Sequence, residues 1–158
     1  MAAVQSPPAD TVPAADGDIS IVPINHATLQ LRHGTNVIDV DPVGQASFDG
    51  LPSPDIILVT DIHGDHLDPA MVDELKTTKT TIVAPKAAAA KLDGATVMAN
   101  GETKTVNGVR IEAVPMYNLT RGPSAGKLFH DKGRGNGYIV TLGGSGSTSP
   151  ATRSARPR

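Results

Sequence analysis

The 158-residue sequence contains no cysteine and no tryptophan, and aromatic residues make up only 3% of it. Without cysteine the chain has no disulfide, no thiol nucleophile, and no cysteine-ligated zinc or iron–sulfur cluster. A metal site in this chain must therefore use histidine and carboxylate side chains. Five histidines and 16 acidic residues are available for that purpose.

Two further absences limit the classes of partner. No run of about 18 apolar residues occurs, which excludes a transmembrane helix. The 14 basic and 16 acidic residues give a formal net charge of −2, too small to steer the chain towards nucleic acid or an anionic membrane. Two Phe and two Tyr are too few for base-stacking platforms. We therefore expect no nucleic-acid partner and no membrane partner.

Composition divides the chain into three parts. Residues 1–17 are rich in Ala and Pro and lack the apolar centre of a signal peptide, which predicts a flexible leader. Residues 18–144 have the size of one domain. Residues 145–158 contain no apolar residue larger than Ala, which predicts a disordered tail. The leader is compatible with a processed secreted protein or with a cytoplasmic one, so the compartment stays open.

The spacing of apolar residues predicts an α/β fold for the central part. Alternation over residues 18–42 indicates an antiparallel meander of three strands. Residues 55–61 and 80–85 are continuous aliphatic runs, typical of strands buried on both faces. The segment between them, 68–78, has helical spacing and begins with Asp68 as a helix N-cap.

The remainder of the domain is predicted as a short helix followed by strands. The helix covers residues 86–92, and Asn107-Gly108 has the composition of a tight hairpin turn. Strands are predicted over 95–99, 102–106, 109–118 and 138–144. Residues 118–137 form a long, polar, Gly-rich loop, and loops of that length are usually functional or disordered.

The segment that carries chemistry is Asp61-Ile62-His63-Gly64-Asp65-His66-Leu67-Asp68, directly after a predicted buried strand. Ligands in α/β sheets bind at the carboxyl ends of strands. The two imidazoles and the carboxylates of Asp61 and Asp65 offer nitrogen and hard oxygen ligands, a mixture that suits Zn²⁺, Mn²⁺ or Fe. The alternative is a polar turn with a helix cap, which is the simpler interpretation of Asp68 alone.

These motifs resemble the metallo-β-lactamase superfamily. TDIHGDHLDP resembles its HxHxDH signature. The upstream HATLQL…NVIDVDPV and the downstream AVPMYN…FHDKGRGNGYIV resemble the subgroup of general hydrolases that includes the ascorbate-6-phosphate lactonases. The resemblance runs from about Ile19 to Gly144. It implies the N-terminal αβ half of an αββα sandwich, with a mostly antiparallel or mixed sheet and flanking helices.

The resemblance also implies a set of metal ligands. His63 matches the second signature histidine and His130 sits where the family places its third, so both would bind metal one. Asp65 and His66 match the Asp–His pair of metal two, and Asp65 would orient the attacking water as the catalytic residue. Asp61 replaces the first histidine, and an oxygen ligand there favours harder metals such as Mn²⁺. The implied cofactor is Zn²⁺, with Mn²⁺ or Fe as alternatives. The alternative interpretation of His130 is an exposed loop histidine.

Other polar residues near these motifs have two interpretations. His26 could line the floor of the site, but a hydrogen bond to the backbone is the simpler role, and His33 is expected to be exposed. Asn118 and Arg121 lie in the loop that would overhang the site. Arg121 could contact an anionic substrate group or be a solvated loop residue. Residues 133–137 are interpreted as a turn entering a strand rather than a phosphate cradle, because no helix follows them.

The resemblance stops short of the family's usual length. The bridging Asp and the last His of the family would lie in a second αβ half, so a single metal is expected rather than two. One hypothesis is that the residues after Gly144 are a frameshift product of a longer gene. With permissible codons, the shifted frame can read FGLYISGDTERTPEM, which contains the family's GD motif. A serine nucleophile is disfavoured because no G-x-S-x-G elbow is present.

Two functions remain open at this point. The first is a metal-dependent hydrolase that uses a metal-activated water on a small-molecule ester, lactone, phosphodiester or lactam. The alternative is a truncated, non-catalytic fold that binds metal weakly or only oligomerises. Because the missing half would leave one sheet face uncovered, we predict a homodimer or higher homo-oligomer.

Overall fold

Two β-sheets packed face to face build the part of the chain that the computed structural model describes, residues 7–143. The first sheet has seven strands in sequential order: β1 Asp10–Val12, β2 Ile19–Asn25, β3 Thr28–His33, β4 Asn36–Val40, β5 Ile56–Leu58, β6 Thr81–Ala84 and β7 Thr96–Val97. Strands β1 to β4 pair antiparallel and β4 to β7 pair parallel. The predicted α/β class, the meander and the mixed sheet are confirmed.

Two short helices cover one face of this sheet. They are α1, Pro69–Leu75, and α2, Lys86–Ala89. The predicted N-cap is confirmed, because the Asp68 carboxylate accepts hydrogen bonds from the first free backbone N–H groups of α1. Buried aliphatic residues join these helices to the sheet: Ile57, Val59, Leu67, Val72, Ile82, Ala84, Ala88 and Leu92.

The opposite face of the seven-stranded sheet packs on a three-stranded antiparallel sheet. Its strands are β8 Thr103–Val106, β9 Val109–Met116 and β10 Gly135–Thr141, in the order β10-β9-β8. Asn107 and Gly108 both have positive φ, 46° and 80°, as a two-residue hairpin turn requires. The larger apolar core lies between the two sheets: Ile19, Leu31, Ile38, Val40, Ile56, Leu58, Val83, Met98, Val106, Val109, Ile111, Ala113, Tyr138, Val140 and Leu142.

This second sheet corrects one premise of the sequence analysis. We expected one face of the first sheet to be uncovered, and the structure covers it with β8, β9 and β10. The spacing of three short strands gave no indication of which face they would pack on. An uncovered sheet face therefore no longer supports the predicted homo-oligomer, which stays a prediction.

Two other differences concern boundaries. Residues 10–12 were placed in a flexible leader, but they form β1 and pair with β2. All three side chains of β1 are exposed, so its backbone pairing leaves no apolar pattern in the sequence. Strand β10 begins at Gly135 rather than Tyr138, so the loop before it covers 117–134. The predicted tail, residues 145–158, lies outside the described residues.

The strand directions bring several loops to one edge of the first sheet. Strands β2, β4 and β5 run parallel to one another, so their carboxyl ends meet at that edge. His26 follows β2 and Asp41 follows β4. Both residues have positive φ, 48° and 46° respectively, and this conformation turns the chain sharply at the strand end. The chemistry-bearing segment 61–68 follows β5, and β10 starts beside it. Within residues 7–143, no helix has the length and apolarity needed to cross a membrane.

Candidate metal centre

A tight turn after β5 presents the predicted ligands at this edge. The carbonyl of His63 accepts hydrogen bonds from the backbone N–H groups of His66 and Leu67, at 2.9 and 2.8 Å. On the other side, the backbone N–H of Asn136 donates to the carbonyl of Thr60 at 2.9 Å. That bond fixes the start of β10 against the end of β5, and the loop before β10 thereby reaches the turn.

Three side chains from these two loops converge. A carboxylate oxygen of Asp61 and one ring nitrogen each of His63 and His130 all lie within 4.8 Å of one another. Asp61 Oδ2 is 3.2 Å from His63 Nδ1 and 3.4 Å from His130 Nε2. Asp61 is fully buried while the two imidazoles are partly exposed. One carboxylate and two imidazoles form a three-ligand set of the kind that holds catalytic zinc.

The hydrogen bonds of His130 define which of its nitrogens faces this cluster. Asn118 Oδ1 accepts from the backbone N–H of His130 and lies 2.9 Å from its Nδ1. Since that amide oxygen is an acceptor, Nδ1 must carry the proton and Nε2 must carry the lone pair. Burial lowers the pKa of His130, against the opposing charge of Asp61, so the ring is neutral near pH 7.

Among residues 7–143, no donor meets the lone pair of His130 Nε2. The atom is buried without a hydrogen-bond partner there, and it lies 3.4 Å from the carboxylate oxygen Oδ2 of Asp61, itself an acceptor. Two facing acceptors repel each other unless a cation lies between them. The residues present thus fit a metal ion, and this unmet nitrogen is the observation that shows it.

His66 is oriented by a buried carboxylate rather than by its own loop. Asp41 Oδ2 lies 2.7 Å from His66 Nδ1, and Asp41 also accepts from the N–H and hydroxyl of Thr60. Burial opposes protonation of the ring, but the bond to Asp41 outweighs it and raises the pKa of His66. This pairing holds a proton on Nδ1 and turns Nε2 towards Asp65 and the site, as in carboxylate–histidine–metal units.

Asp65 occupies the mouth of the site. Its side chain is 49% exposed, and its Oδ2 lies 3.1 Å from His26 Nε2 and 3.6 Å from His66 Nε2. Burial acts to raise the pKa of Asp65, but the charge of His66 and the bond to His26 lower it, so the group is an ionised carboxylate near pH 7. His26 therefore lines the site, which corrects the expectation that it bonds only to the backbone.

Arg134 also lies at the centre, and the sequence analysis did not include it because residues 133–137 were interpreted as a turn. Its Nε donates to Asp61 Oδ1 and its NH2 group to Asp61 Oδ2, both at 3.0 Å. Burial acts to raise the pKa of Asp61, but these bonds outweigh it and lower that pKa. The sequence shows only that a basic residue lies in the loop that carries His130. A solvated surface arginine would look the same in the sequence.

A cavity of about 410 Å³ opens over the cluster. It is lined by His63, Asp65, Asn118, Arg121, Phe129 and His130. Arg121 thus lies at the site, as one of its two interpretations expected. Phe129 is 42% exposed at the same rim. The arrangement places a positive charge and an apolar ring above the candidate ligands.

The structure brings all five predicted ligands to this edge of the sheet, but in two groups. Asp61, His63 and His130 form the three-ligand set, and Asp65 with His66 lies beside it, the rings of His66 and His130 being 5.7 Å apart. Their roles as metal ligands, and that of Asp65 in catalysis, remain predictions. His33 is half-buried rather than exposed.

A family model for the beta-lactamase superfamily domain matches residues 20–146. The chain belongs to this superfamily. The match covers strands β3 to β10, all of β2 except its first residue, and every residue of the centre. A comparison with curated proteins finds no match.

Solved structures agree with the family assignment. A proposed metal-dependent hydrolase from Parabacteroides distasonis is 38% identical over 87% of this chain, with a TM-score of 0.78. CmlA, a diiron β-hydroxylase from Streptomyces venezuelae, is 19% identical over 84% of this chain and 28% of its own, with a TM-score of 0.59. Igni18, a metallo hydrolase from Ignicoccus hospitalis KIN4/I, is 16% identical over 80% of this chain and 57% of its own, with a TM-score of 0.58. The last two show similarity of fold alone.

The length of the match is also informative. This chain spans 62% of the Parabacteroides distasonis protein. The family, the α/β fold and a candidate metal site are shown, and the reaction of the whole protein is a matter for proposal.

Proposed function

We propose that this chain is a metal-dependent hydrolase whose ion is held by Asp61, His63 and His130, with Asp65 and His66 beside it. The observation that carries the proposal is the buried lone pair of His130 Nε2, which faces a carboxylate and has no donor. When bound, the metal supplies a Lewis acid and lowers the pKa of a bound water. Zn²⁺ is the proposed ion. The carboxylate of Asp61 also admits Mn²⁺ or Fe.

The chain's own residues would divide the remaining work. Asp65, ionised and held by His26, presents its half-exposed carboxylate at the mouth of the cavity, where it can orient a water and accept its proton. Asp41 keeps the Nδ1 proton on His66, so the ring presents only its Nε2 to the site. The Asn118 amide does the same for His130.

The rim of the cavity indicates the class of substrate. Arg121 supplies a cation and Phe129 an exposed ring, which together suit a small molecule with an anionic group and an apolar part. We propose an ester or lactone of that kind, in keeping with the resemblance to ascorbate-6-phosphate lactonases. Phosphodiesters and lactams use the same metal-activated water and are the alternatives.

Hydrolysis of p-nitrophenyl acetate tests the reaction. We expect turnover that EDTA abolishes and Zn²⁺ or Mn²⁺ restores. Asp65→Asn should retain the metal, measured by elemental analysis, and lose at least about 100-fold in kcat, the usual contribution of a positioned base. Metal bound without any EDTA-sensitive turnover would favour the second function, a non-catalytic metal-binding fold. That function is supported by the ion pair between Arg134 and Asp61.

We also propose that the chain forms a homodimer. Strand β10 lies at the edge of the three-stranded sheet among the described residues, and an edge strand is a template for pairing with another chain. Light scattering in dilute solution tests this. A monomer across the micromolar range would contradict it.

A further inference from the structure

Arg134 is held by more contacts than a surface arginine needs. Besides the two bonds to Asp61, its NH2 group donates to the carbonyl of Phe129 at 2.6 Å and its NH1 group to Asp131 at 3.2 Å. The side chain is only 20% exposed. Its planar fork is therefore fixed on the carboxylate of Asp61, in the bidentate geometry that distinguishes Arg from Lys.

The guanidinium lies where a metal would have to bind. Its NH2 group is 3.0 Å from Asp61 Oδ2 and 3.4 Å from His63 Nε2. The same Asp61 Oδ2 lies 3.2 Å from His63 Nδ1 and 3.4 Å from His130 Nε2. Asp61 is the only acidic residue of the three candidate ligands, and Arg134 is ion-paired with it. A divalent ion would therefore have to compete with a cation for this carboxylate.

We propose that Arg134 is an internal competitor of the metal: its guanidinium occupies Asp61 when the ion is absent and must leave Oδ2 when the ion binds, so this residue sets the metal affinity of the site. The inference rests on the proposed metal site. Space for the movement exists, because Arg134 also lines a second cavity of about 580 Å³, with Gly133, Asn100 and Asn136.

The competition predicts opposite effects on the two states of the protein. Without metal, Arg134 stabilises the buried charge of Asp61, so its removal takes away the bidentate cation of that carboxylate. With metal, the ion takes over that role and no longer has to displace a cation. A residue that only positioned Asp61 for the metal would instead weaken both states when removed.

Metal titration of the stripped full chain against a chromophoric chelator tests the proposal. We expect Arg134→Gln to bind Zn²⁺ at least tenfold more tightly than the wild type, and to melt at a lower temperature when metal-free. Arg121→Gln is the matched control, because it removes a positive charge from the cavity over the candidate ligands and leaves the ion pair between Arg134 and Asp61 in place. It should change the Zn²⁺ affinity by no more than about threefold. Equal or weaker binding by a folded Arg134→Gln variant would overturn the proposal.

A second measurement follows the guanidinium itself in wild-type protein. In wild-type protein, the Nε–H of Arg134 donates to a buried carboxylate and should exchange slowly with water. Arg134→Lys assigns its NMR signal. Addition of Zn²⁺, which is diamagnetic, should shift this signal and speed its exchange, and an unchanged signal at saturating Zn²⁺ would contradict displacement. If neither the wild type nor any variant binds Zn²⁺, the proposed metal site itself is wrong. Equal Zn²⁺ binding by the wild type and by Arg134→Gln would instead leave the metal site in place and contradict only the competition.

Discussion

A carboxyl group buried away from the metal centre should make the stability of this protein fall as pH rises. Asp39 on β4 lies opposite Gln30 on β3, and both side chains are fully buried. Gln30 Nε2 donates to Asp39 Oδ1 at 2.7 Å, but Asp39 Oδ2 and Gln30 Oε1 have no hydrogen-bond partner within the part of the chain that the structure describes. Burial raises the pKa of Asp39 to about 7, against the opposing effects of Gln30 and Arg32.

The sign follows from which state binds the proton more tightly. The unfolded chain releases the proton of Asp39 near its ordinary pKa of about 3.9, whereas the folded chain holds it up to a pKa of about 7. Between these values the folded state binds more protons, so the free energy of unfolding decreases as pH rises. Each pKa unit corresponds to 1.36 kcal/mol, and the slope falls to half at the folded pKa, so the free energy of unfolding decreases by about 2.3 kcal/mol from pH 5 to pH 7. By pH 8 the decrease is about 2.6 kcal/mol and nearly complete.

Asp39→Asn should remove this dependence. Asparagine keeps an oxygen for Gln30 and replaces the unpaired oxygen by a group that does not ionise. Urea unfolding of both proteins at pH 5 and pH 8 measures the effect. The stability of the variant relative to the wild type should increase by between about 2 and 3 kcal/mol over that interval.

Asp49→Asn is the matched control for this experiment. Asp49 is exposed, so the same chemical change there should shift stability by less than about 0.5 kcal/mol at either pH. The reasoning is refuted if the difference between wild type and Asp39→Asn does not change with pH, because Asp39 would then ionise alike in both states.

Three further predictions concern the centre and its support. His63→Ala with His66→Ala should abolish metal binding while circular dichroism stays near the wild type, since both residues lie in a loop; unchanged metal content would exclude this cluster. Asn118→Ala releases the Nδ1 of His130 and should weaken Zn²⁺ binding by about 10- to 100-fold in a chelator titration, whereas unaltered affinity would show that the amide does not orient the ring. Gly135→Ala would place a Cβ 2.7 Å from Met116 Cε and 2.8 Å from the carbonyl oxygen of Thr60. The free energy of unfolding, measured in urea, should fall by about 1–3 kcal/mol. An unshifted urea midpoint would contradict that close approach.

Local chemistry explains what could be predicted along the chain. The Asp68 cap and the Asn107-Gly108 turn depend on backbone geometry within three or four residues, and both were found from sequence. The loop that holds Asp61, His63, Asp65 and His66 is likewise one short segment after a buried strand. Strand β1 was missed because its side chains are all exposed, so only pairing with β2 defines it.

The sequence by itself determined the family resemblance, the α/β class and the loop at which a metal would bind, because each of these is written in residues close together in the chain. Only the tertiary structure decided what surrounds that loop. Asp41 reaches His66 across 25 positions, His26 reaches Asp65 across 39, and Arg134 reaches Asp61 across 73. These pairs exist because the carboxyl ends of β2, β4 and β5 meet at one edge of the sheet and β10 starts beside them. Contacts of that kind follow from strand order and direction, and no local pattern of residue types specifies them.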